Sequence, residues 1–143
     1  MPAKSGVFAS VLDDEGRILL GHRRDLDLWE APGGNLDPGE APWDAVVREI
    51  KEETGITAEV IRLTGLYYRP SRGNVVYHFV CKVVSGTPVT SDETDKVEFF
   101  EPGNLPEHIT PVVRDRLQDS LVPSGVAMAV QDGPGGREWL KSL

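Results

Sequence analysis

Gly34-Asn-Leu-Asp-Pro-Gly-Glu40-Ala-Pro-Trp-Asp-Ala-Val-Val-Arg48-Glu49-Ile-Lys-Glu52-Glu53-Thr-Gly55-Ile56 contains a turn, a complete helix and its stop signal. Asp37-Pro38-Gly39 is turn chemistry, and Pro42 suits a first helical position, where its missing N–H leaves no bond unmade. Gly55 fits the left-handed position that ends a helix after Thr54. At 3.6 residues per turn Trp43, Val46, Val47 and Ile50 share one face, expected to pack on a sheet. Arg48, Glu49, Glu52 and Glu53 share the other, expected to point into a cleft.

The last turn of this helix is a poor place for three carboxylates. Like charges at i,i+3 and i,i+4 destabilise a helix by about 0.2–0.5 kcal/mol per pair. The negative end of the helix dipole disfavours them again. Three glutamates there make sense if a cation sits among them, and hard divalent ions such as Mg²⁺ or Mn²⁺ take oxygen ligands of this kind. Arg48 can pair with Glu52 at i+4 and hold the acids in a fixed orientation.

The spacing is specific. Gly34, five residues, Glu40, seven residues, Arg48-Glu49-Ile50, one residue, Glu52-Glu53, one residue, Gly55-Ile56 resembles the full signature of the Nudix hydrolases, preceded by the lead-in Ala31-Pro32-Gly33-Gly34. The resemblance implies an α/β (α+β) Nudix fold, a mixed β-sheet sandwiched between α-helices. It implies a metal site of Glu49, Glu52, Glu53 and the Gly34 carbonyl, with Mg²⁺ (or Mn²⁺) as cofactor. It also implies a loop glutamate outside the motif that joins the metal site or activates water. Glu93, in Ser91-Asp92-Glu93-Thr94, is the candidate, with Glu98 competing from a strand position flanked by Val97 and Phe99. Glu40 is expected to tie the loop to the helix start through hydrogen bonds, with direct metal contact second. Arg48 is expected to be an orienting partner within the catalytic set.

At 143 residues the chain is expected to be a single domain, with the residues after about 131 loosely held. A single cysteine, Cys81, excludes an internal disulfide and fits a reducing, cytoplasmic setting. No apolar run approaches the length of a membrane span, and Met1–Gly6 lacks the apolar core of a leader. The net charge of −8 argues against a nucleic-acid polymer or an anionic membrane as partner. Anionic phosphoanhydride substrates would face the same repulsion unless bound cations offset it. The expected partner is a nucleotide-type small molecule, with a homodimer as an option.

Val7–Leu12 and Arg17–His22 read as a hairpin around a four-residue turn. Leu28–Ala31 reads as a short strand, Ala58–Arg69 as a strand bent at Gly65, and Val75–Val84 as a central strand covered on both faces. Lys96–Glu101 and Val126–Val130 read as further strands, and Thr110-Pro111 as the start of a second helix to about Leu121.

Arg23 and Arg24, at the end of the second strand, are candidates to hold a substrate phosphate. Trp29, Tyr67, Tyr68 and Tyr77 could stack on a nucleobase, although aromatics in such strands usually belong to the core. Of these Trp29 and Tyr77 are taken as substrate contacts. Cys81 alternates with Tyr77 and Phe79 and is expected to be buried. The expected reaction is attack of a metal-activated water on phosphorus, splitting the anhydride of a nucleoside diphosphate linked to another group, X. Glu52, Glu53 and Glu93 remain open as its general base. The short chain resembles compact members of the family, which favours a nucleoside triphosphate or a similar small nucleotide. The alternatives are an ADP-ribose or sugar-nucleotide pyrophosphatase, for which Pro70 is a weak cue, and a catalytically silent module that only senses a nucleotide.

Overall fold

The computed structural model describes residues 5–143. Strands β1 (Gly6–Leu12) and β2 (Ile18–Arg23) form the hairpin. Its turn is held by the Asp13 carboxylate, which accepts the backbone N–H groups of Glu15 at 3.0 Å and Arg17 at 2.8 Å. β3 (Trp29–Glu30), β4 (Gly33–Asn35), helix α1 (Pro42–Thr54), β5 (Thr57–Arg69), β6 (Asn74–Ser85), β7 (Thr94–Phe100), helix α2 (Pro111–Ser120), β8 (Ala127–Val130) and helix α3 (Gly136–Lys141) follow.

One mixed sheet of eight strands runs in the order β3-β2-β1-β6-β5-β8, with β4 added to β1 and β7 to β2. β1 pairs with β6 in parallel, as does β5 with β8, while the other ladders are antiparallel. β6 therefore lies between β1 and β5, as its run of apolar residues requires. β5 changes register between Leu63 and Gly65, the expected bend, and at two further points.

Alternation of side chains divides the core. On one face Val7, Ala9, Val11, Phe79 and Cys81 pack against Ala45, Val46 and Ile50 of α1. On the other, Ile18, Leu20, Ala31 and Ile109 pack with Leu117 of α2. The second face also holds a buried polar chain: Ser10 Oγ lies 2.9 Å from His78 Nε2 and 2.7 Å from Ser120 Oγ, joining β1, β6 and α2.

α1 starts at Pro42 and stops at Gly55, whose φ of 78° is open to glycine at little cost. Two expectations about its faces need correction. Trp43 is 58% exposed, because the buried stripe runs through Ala45, Val46, Ile50 and Thr54 and leaves the first turn at its margin. The acids also do not share one solvent face: Glu49 and Glu53 flank the buried stripe and are half-buried, whereas Glu52 is exposed.

β4 was not expected; three residues of Gly-Gly-Asn carry no strand propensity, and they are held extended by pairing with Gly6, Val7 and Phe8. α2 begins at Thr110, whose hydroxyl accepts the Val113 N–H at 3.3 Å. The residues after Gln131 include α3, which buries none of its residues. Among the described residues no helix is long and apolar enough to cross a membrane.

Candidate active site

The glycine loop and the acidic helix meet because β1 holds one against the other. Pairing of Gly33 with Phe8 and of Gly34 with Val7 lays the loop along β1, and Ala9 N–H donates to the Pro32 carbonyl at 3.0 Å. The same strand packs Val7 and Ala9 on α1. In consequence the Gly33 N–H points at Glu53 and donates to its Oε2 at 3.1 Å. Gly34 stands against Glu49: a Cβ added there would fall 2.7 Å from the carboxylate carbon. Only a residue without a side chain leaves that space open.

Glu49 and Glu53, one turn apart on α1, are close enough for each to perturb the other's ionisation. Burial, and next the neighbouring Glu49 charge set against the Gly33 N–H, raises the Glu53 carboxyl far above the ordinary carboxylate range. Burial also raises Glu49, against the opposing pull of its bond to Glu53 and of Arg48. Two half-buried acids set this close resist carrying both charges at once.

Arg48 binds the acids from the side. Its Nε and Nη2 donate to Glu40 at 2.8 and 2.9 Å, and its Nη1 lies 3.1 Å from Glu49 and 3.2 Å from Glu52. Glu40 in turn accepts the Asp37 N–H at 3.2 Å and so joins the loop to the helix. The bond to Glu40 leads the causes that push the Arg48 pKa up, so its charge is permanent.

A cleft of about 560 Å³ opens beside this cluster, lined by Phe8, Arg23, Arg24, Glu30, Gly33, Gly34, Glu53 and Glu93 among others. A second opening of about 520 Å³ reaches Glu49 and Glu52 and shares Gly34, Glu53, Asp92 and Glu93 with the first. Glu93 thus stands across the cleft from the helix, and its carboxylate makes no hydrogen bond or ion pair to another described residue. The loop that carries it is tied to β2: Arg24 N–H donates to the Glu93 carbonyl at 3.1 Å, and Arg24 Nε to the Ser91 carbonyl at 2.8 Å. Arg23 pairs with Asp25 at 2.7 Å and reaches Glu30 at 3.5 Å. Glu98 is exposed on β7 and lines neither opening.

The two aromatic candidates lie away from the cleft. Trp29 packs edge-on against His22 and Phe100, with ring centroids 5.1 and 4.9 Å away, within the α2-side core. Tyr77 packs against the α1-side core. Neither lines the cleft. Cys81 is buried, and burial pushes its thiol up to about 12, which leaves it inert.

Sequence reasoning missed Phe8, Glu30 and His22. Glu30 was detectable as an acid between Trp29 and Ala31 in an otherwise apolar strand; its carboxyl is raised above the ordinary range, chiefly by burial. His22 is clamped by two acids, Nδ1 to Asp95 at 2.7 Å and Nε2 to Asp27 at 2.8 Å. Nothing local to its strand announces that geometry.

Among the described residues no three His, Cys, Asp or Glu side chains already enclose a point as a closed metal site would. The residues do fit an open one. The crowded Glu49–Glu53 pair would gain a counter-charge from a cation, and the space in front of Gly34 would let the ion reach a backbone carbonyl. Mg²⁺ characteristically keeps water and substrate oxygens around one or two carboxylates.

Comparison with known proteins places the chain in a family. The family model described as the NUDIX domain matches residues 2–119. A MutT-like protein of Streptomyces ambofaciens is 40% identical over 127 residues, covering 89% of this chain and 82% of that protein. A putative 8-oxo-dGTP diphosphatase of Bacillus subtilis (strain 168) is 36% identical over 115 residues, covering 80% and 77%. Among solved structures, an ADP-ribose pyrophosphatase from Streptococcus suis 89-1591 superposes with a TM-score of 0.72 at 25% identity, covering 89% of this chain and 98% of that one. A match that takes in the glycine loop, the acidic helix and most of the sheet makes this chain a member of the Nudix hydrolase family.

Proposed function

We propose that this hydrolase uses a divalent cation, Mg²⁺ or Mn²⁺, to split the pyrophosphate linkage of a nucleoside diphosphate joined to another group. The observation that carries it is the Glu49–Glu53 pair, crowded against the Gly33 N–H and the open face of Gly34 at the mouth of a cleft with Arg23 on its other wall. Glu49, Glu53 and the Gly34 carbonyl would hold the ion, with exposed Glu52 reaching it through water. When bound, such an ion lowers the pKa of a water molecule and offsets charge developing on the phosphate.

The remaining work falls to the chain's own residues. Arg48 keeps Glu49 and Glu52 from splaying apart when the cluster is charged. Arg23 lies where a substrate phosphate enters, and exchange of its Glu30 contact for phosphate would cost little at 3.5 Å. Arg24 holds the loop of Glu93. Glu93, with its carboxylate uncommitted, is the proton acceptor for the attacking water, since Glu53 is committed to the helix cluster and Glu52 to Arg48. The cleft volume lies within the range of small-molecule sites. The relatives' names, an 8-oxo-dGTP diphosphatase and an ADP-ribose pyrophosphatase, support a nucleoside triphosphate or similar small nucleotide derivative as substrate. The single cysteine supports a cytoplasmic setting.

The test is phosphate or pyrophosphate release from a panel of dNTPs, ADP-ribose, NADH, sugar nucleotides and dinucleoside polyphosphates, with Mg²⁺ and with chelator. Turnover confined to pyrophosphate-containing compounds and abolished by chelator is expected. Full-rate turnover by metal-free protein, or comparable cleavage of a simple phosphate monoester, would overturn it.

A further inference from the structure

A second group of charged residues, outside the helix cluster, makes no direct ion pair among the described residues, although the charges of Glu30 and Asp132 reach Arg116 and Arg69. Arg116, in the middle of α2, is only 3% exposed. Its guanidinium packs on the rings of Phe8 and Tyr67, whose centroids lie 5.4 and 5.5 Å from Cζ. Nε donates to the Gln131 amide oxygen at 2.8 Å, while Nη2 is buried without an acceptor. Arg69, at the end of β5, repeats the pattern: its Nε is buried without an acceptor, and its Nη2 only reaches the Gly133 carbonyl at 3.5 Å. Arg72 follows in the turn between β5 and β6 and adds a third positive charge to the field at Arg116.

Among the described residues none of these three arginines is paired with a carboxylate. Asp132, which acts on Arg69 only through its charge, accepts the Ser71 N–H at 3.1 Å, and Asp119 accepts the Tyr67 hydroxyl at 2.8 Å. A buried cation without a counter-charge is strongly unfavourable, and mutual repulsion makes a cluster worse. Burial, then Arg69, pulls Arg116 down to about 10. With 23 acidic residues against 15 basic ones, a shortage of carboxylates does not account for this. A guanidinium packed on two aromatic rings, with one edge held by a neutral amide and another N–H unsatisfied, is preorganised for an oxyanion.

The cluster adjoins the candidate active site. Phe8, which stacks on Arg116, lines the main cleft. The segment Gln131-Asp132-Gly133-Pro134-Gly135-Gly136 runs from Arg116 and Arg69 back to that cleft. At its far end a Cβ on Gly136 would meet Leu28 at 2.4 Å and Arg23 Nη1 at 3.9 Å. Displacing the Gln131 amide, whose nitrogen donates to the Val112 carbonyl at 3.3 Å and whose oxygen accepts from Arg116, would open Arg116 from this side.

We propose that Arg116, Arg69 and Arg72 form a second oxyanion site, separate from the pyrophosphate position, that takes a further phosphate group carried by the substrate or released as product. The substrate-borne form rests on the pyrophosphohydrolase reading above; the site itself does not.

The experiment separates the two. In EDTA the acidic helix repels anions, so inorganic phosphate binding, followed by calorimetry and thermal melting, reports on the arginines. Wild type should bind phosphate saturably without metal. Arg116→Gln and the less buried Arg69→Gln should each weaken binding at least about tenfold, while Arg62→Gln, whose guanidinium bonds only the Val122 and Gly125 carbonyls, should not. ADP-ribose and its 2′-phosphorylated form then identify the source. A kcat/KM advantage of about tenfold for the phosphorylated form, carried in KM and lost in both variants, assigns the site to substrate. Retained phosphate binding with equal kcat/KM for the pair assigns it to free phosphate. Absence of metal-free phosphate binding, or binding undiminished in both variants, overturns the site. Should no compound of the panel be hydrolysed while phosphate binding still depends on Arg116, the pyrophosphohydrolase reading fails and the oxyanion site stands.

Discussion

Glu53 answers two opposed demands at the scale of one residue. Its carboxyl caps the Gly33 N–H and so fixes the glycine loop, yet it sits in partial burial beside Glu49. The raised Glu53 carboxyl means that folding without metal takes up a proton near neutrality, which works against stability as pH rises. Glu53→Gln keeps the volume and removes that conflict. The metal-free variant should melt at or slightly above wild type, while turnover falls at least about 10²-fold, the low end of what a positioned acid–base group contributes. Wild-type turnover in this variant at saturating metal would rule out the helix face as the reacting centre. Gly34→Ala tests the other side of the cluster. The added Cβ meets only the movable end of Glu49, so the fold should survive, but the carboxylate must swing out of the space an ion would use. Metal affinity, followed by titration calorimetry, should fall by about tenfold or more, in the range found when the support of a metal ligand is lost. Glu93→Gln should slow turnover and leave metal affinity nearly unchanged, so rate and affinity have to be measured on all three variants.

Elements are held in register by two histidines whose environments pull in opposite directions. His78, on β6, is wholly buried beside Ser10, and burial lowers it to about 3. The unfolded chain, with an ordinary value of 6.5, then takes the proton first. Its contribution to stability is present above pH 6.5 and is lost as pH falls toward 3, by about 1.4 kcal/mol per pH unit. His22, on β2, is raised: burial alone would lower it, but the hydrogen bonds to Asp27 and Asp95 outweigh that. Its contribution is full below 6.5 and is lost as pH rises through its higher folded value. Nitrogen-15 spectra of the imidazoles should therefore show His22 still charged above pH 6.5 and His78 neutral at pH 5. A His78 that titrates near 6.5 would mean that the chain through Ser10 and Ser120 is not closed in solution. Neither histidine was legible in the sequence, because each depends on partners as far as 68 or 73 residues away. What was legible is local: the proline start and glycine stop of α1, the hairpin, the long apolar run of β6 and the threonine cap of α2. β4 escaped because pairing with β1, not propensity, makes it a strand. Trp29 and Tyr77 were placed in the wrong environment because period-two alternation shows that a side chain faces inward without showing whether core or cleft lies there.

Taken as a whole, the molecule carries a net charge of −8 and concentrates part of it at the end of α1, with Glu49, Glu52 and Glu53 on one side of the opening and Asp92 and Glu93 on the other. Self-repulsion on this scale works against the compact state, and an anionic substrate would meet the same field. The motif itself announces the acids in sequence. Their unequal burial, with Glu53 half-buried and Glu52 in solvent, emerges only when β1 presses the glycine loop onto the helix. A divalent ion bound between the half-buried pair would relieve the repulsion in the folded state and find no preformed site in the unfolded one. Mass action then adds about 2.7 kcal/mol of stability at a metal concentration of 100 times Kd. For a chain of this size that corresponds to a rise in Tm of about 5–10 °C. Melts in EDTA and in saturating Mg²⁺ should show such a rise for wild type. Monovalent salt at matched ionic strength should produce a smaller one, because it screens the surface charge without entering the pair. The double variant Glu49→Gln, Glu53→Gln should start from an equal or higher Tm in EDTA and gain almost nothing from Mg²⁺. If instead Mg²⁺ and monovalent salt raise the wild-type Tm equally, the acidic end of α1 is acting as a screened surface patch, and the cation site placed between Glu49, Glu53 and Gly34 must be abandoned.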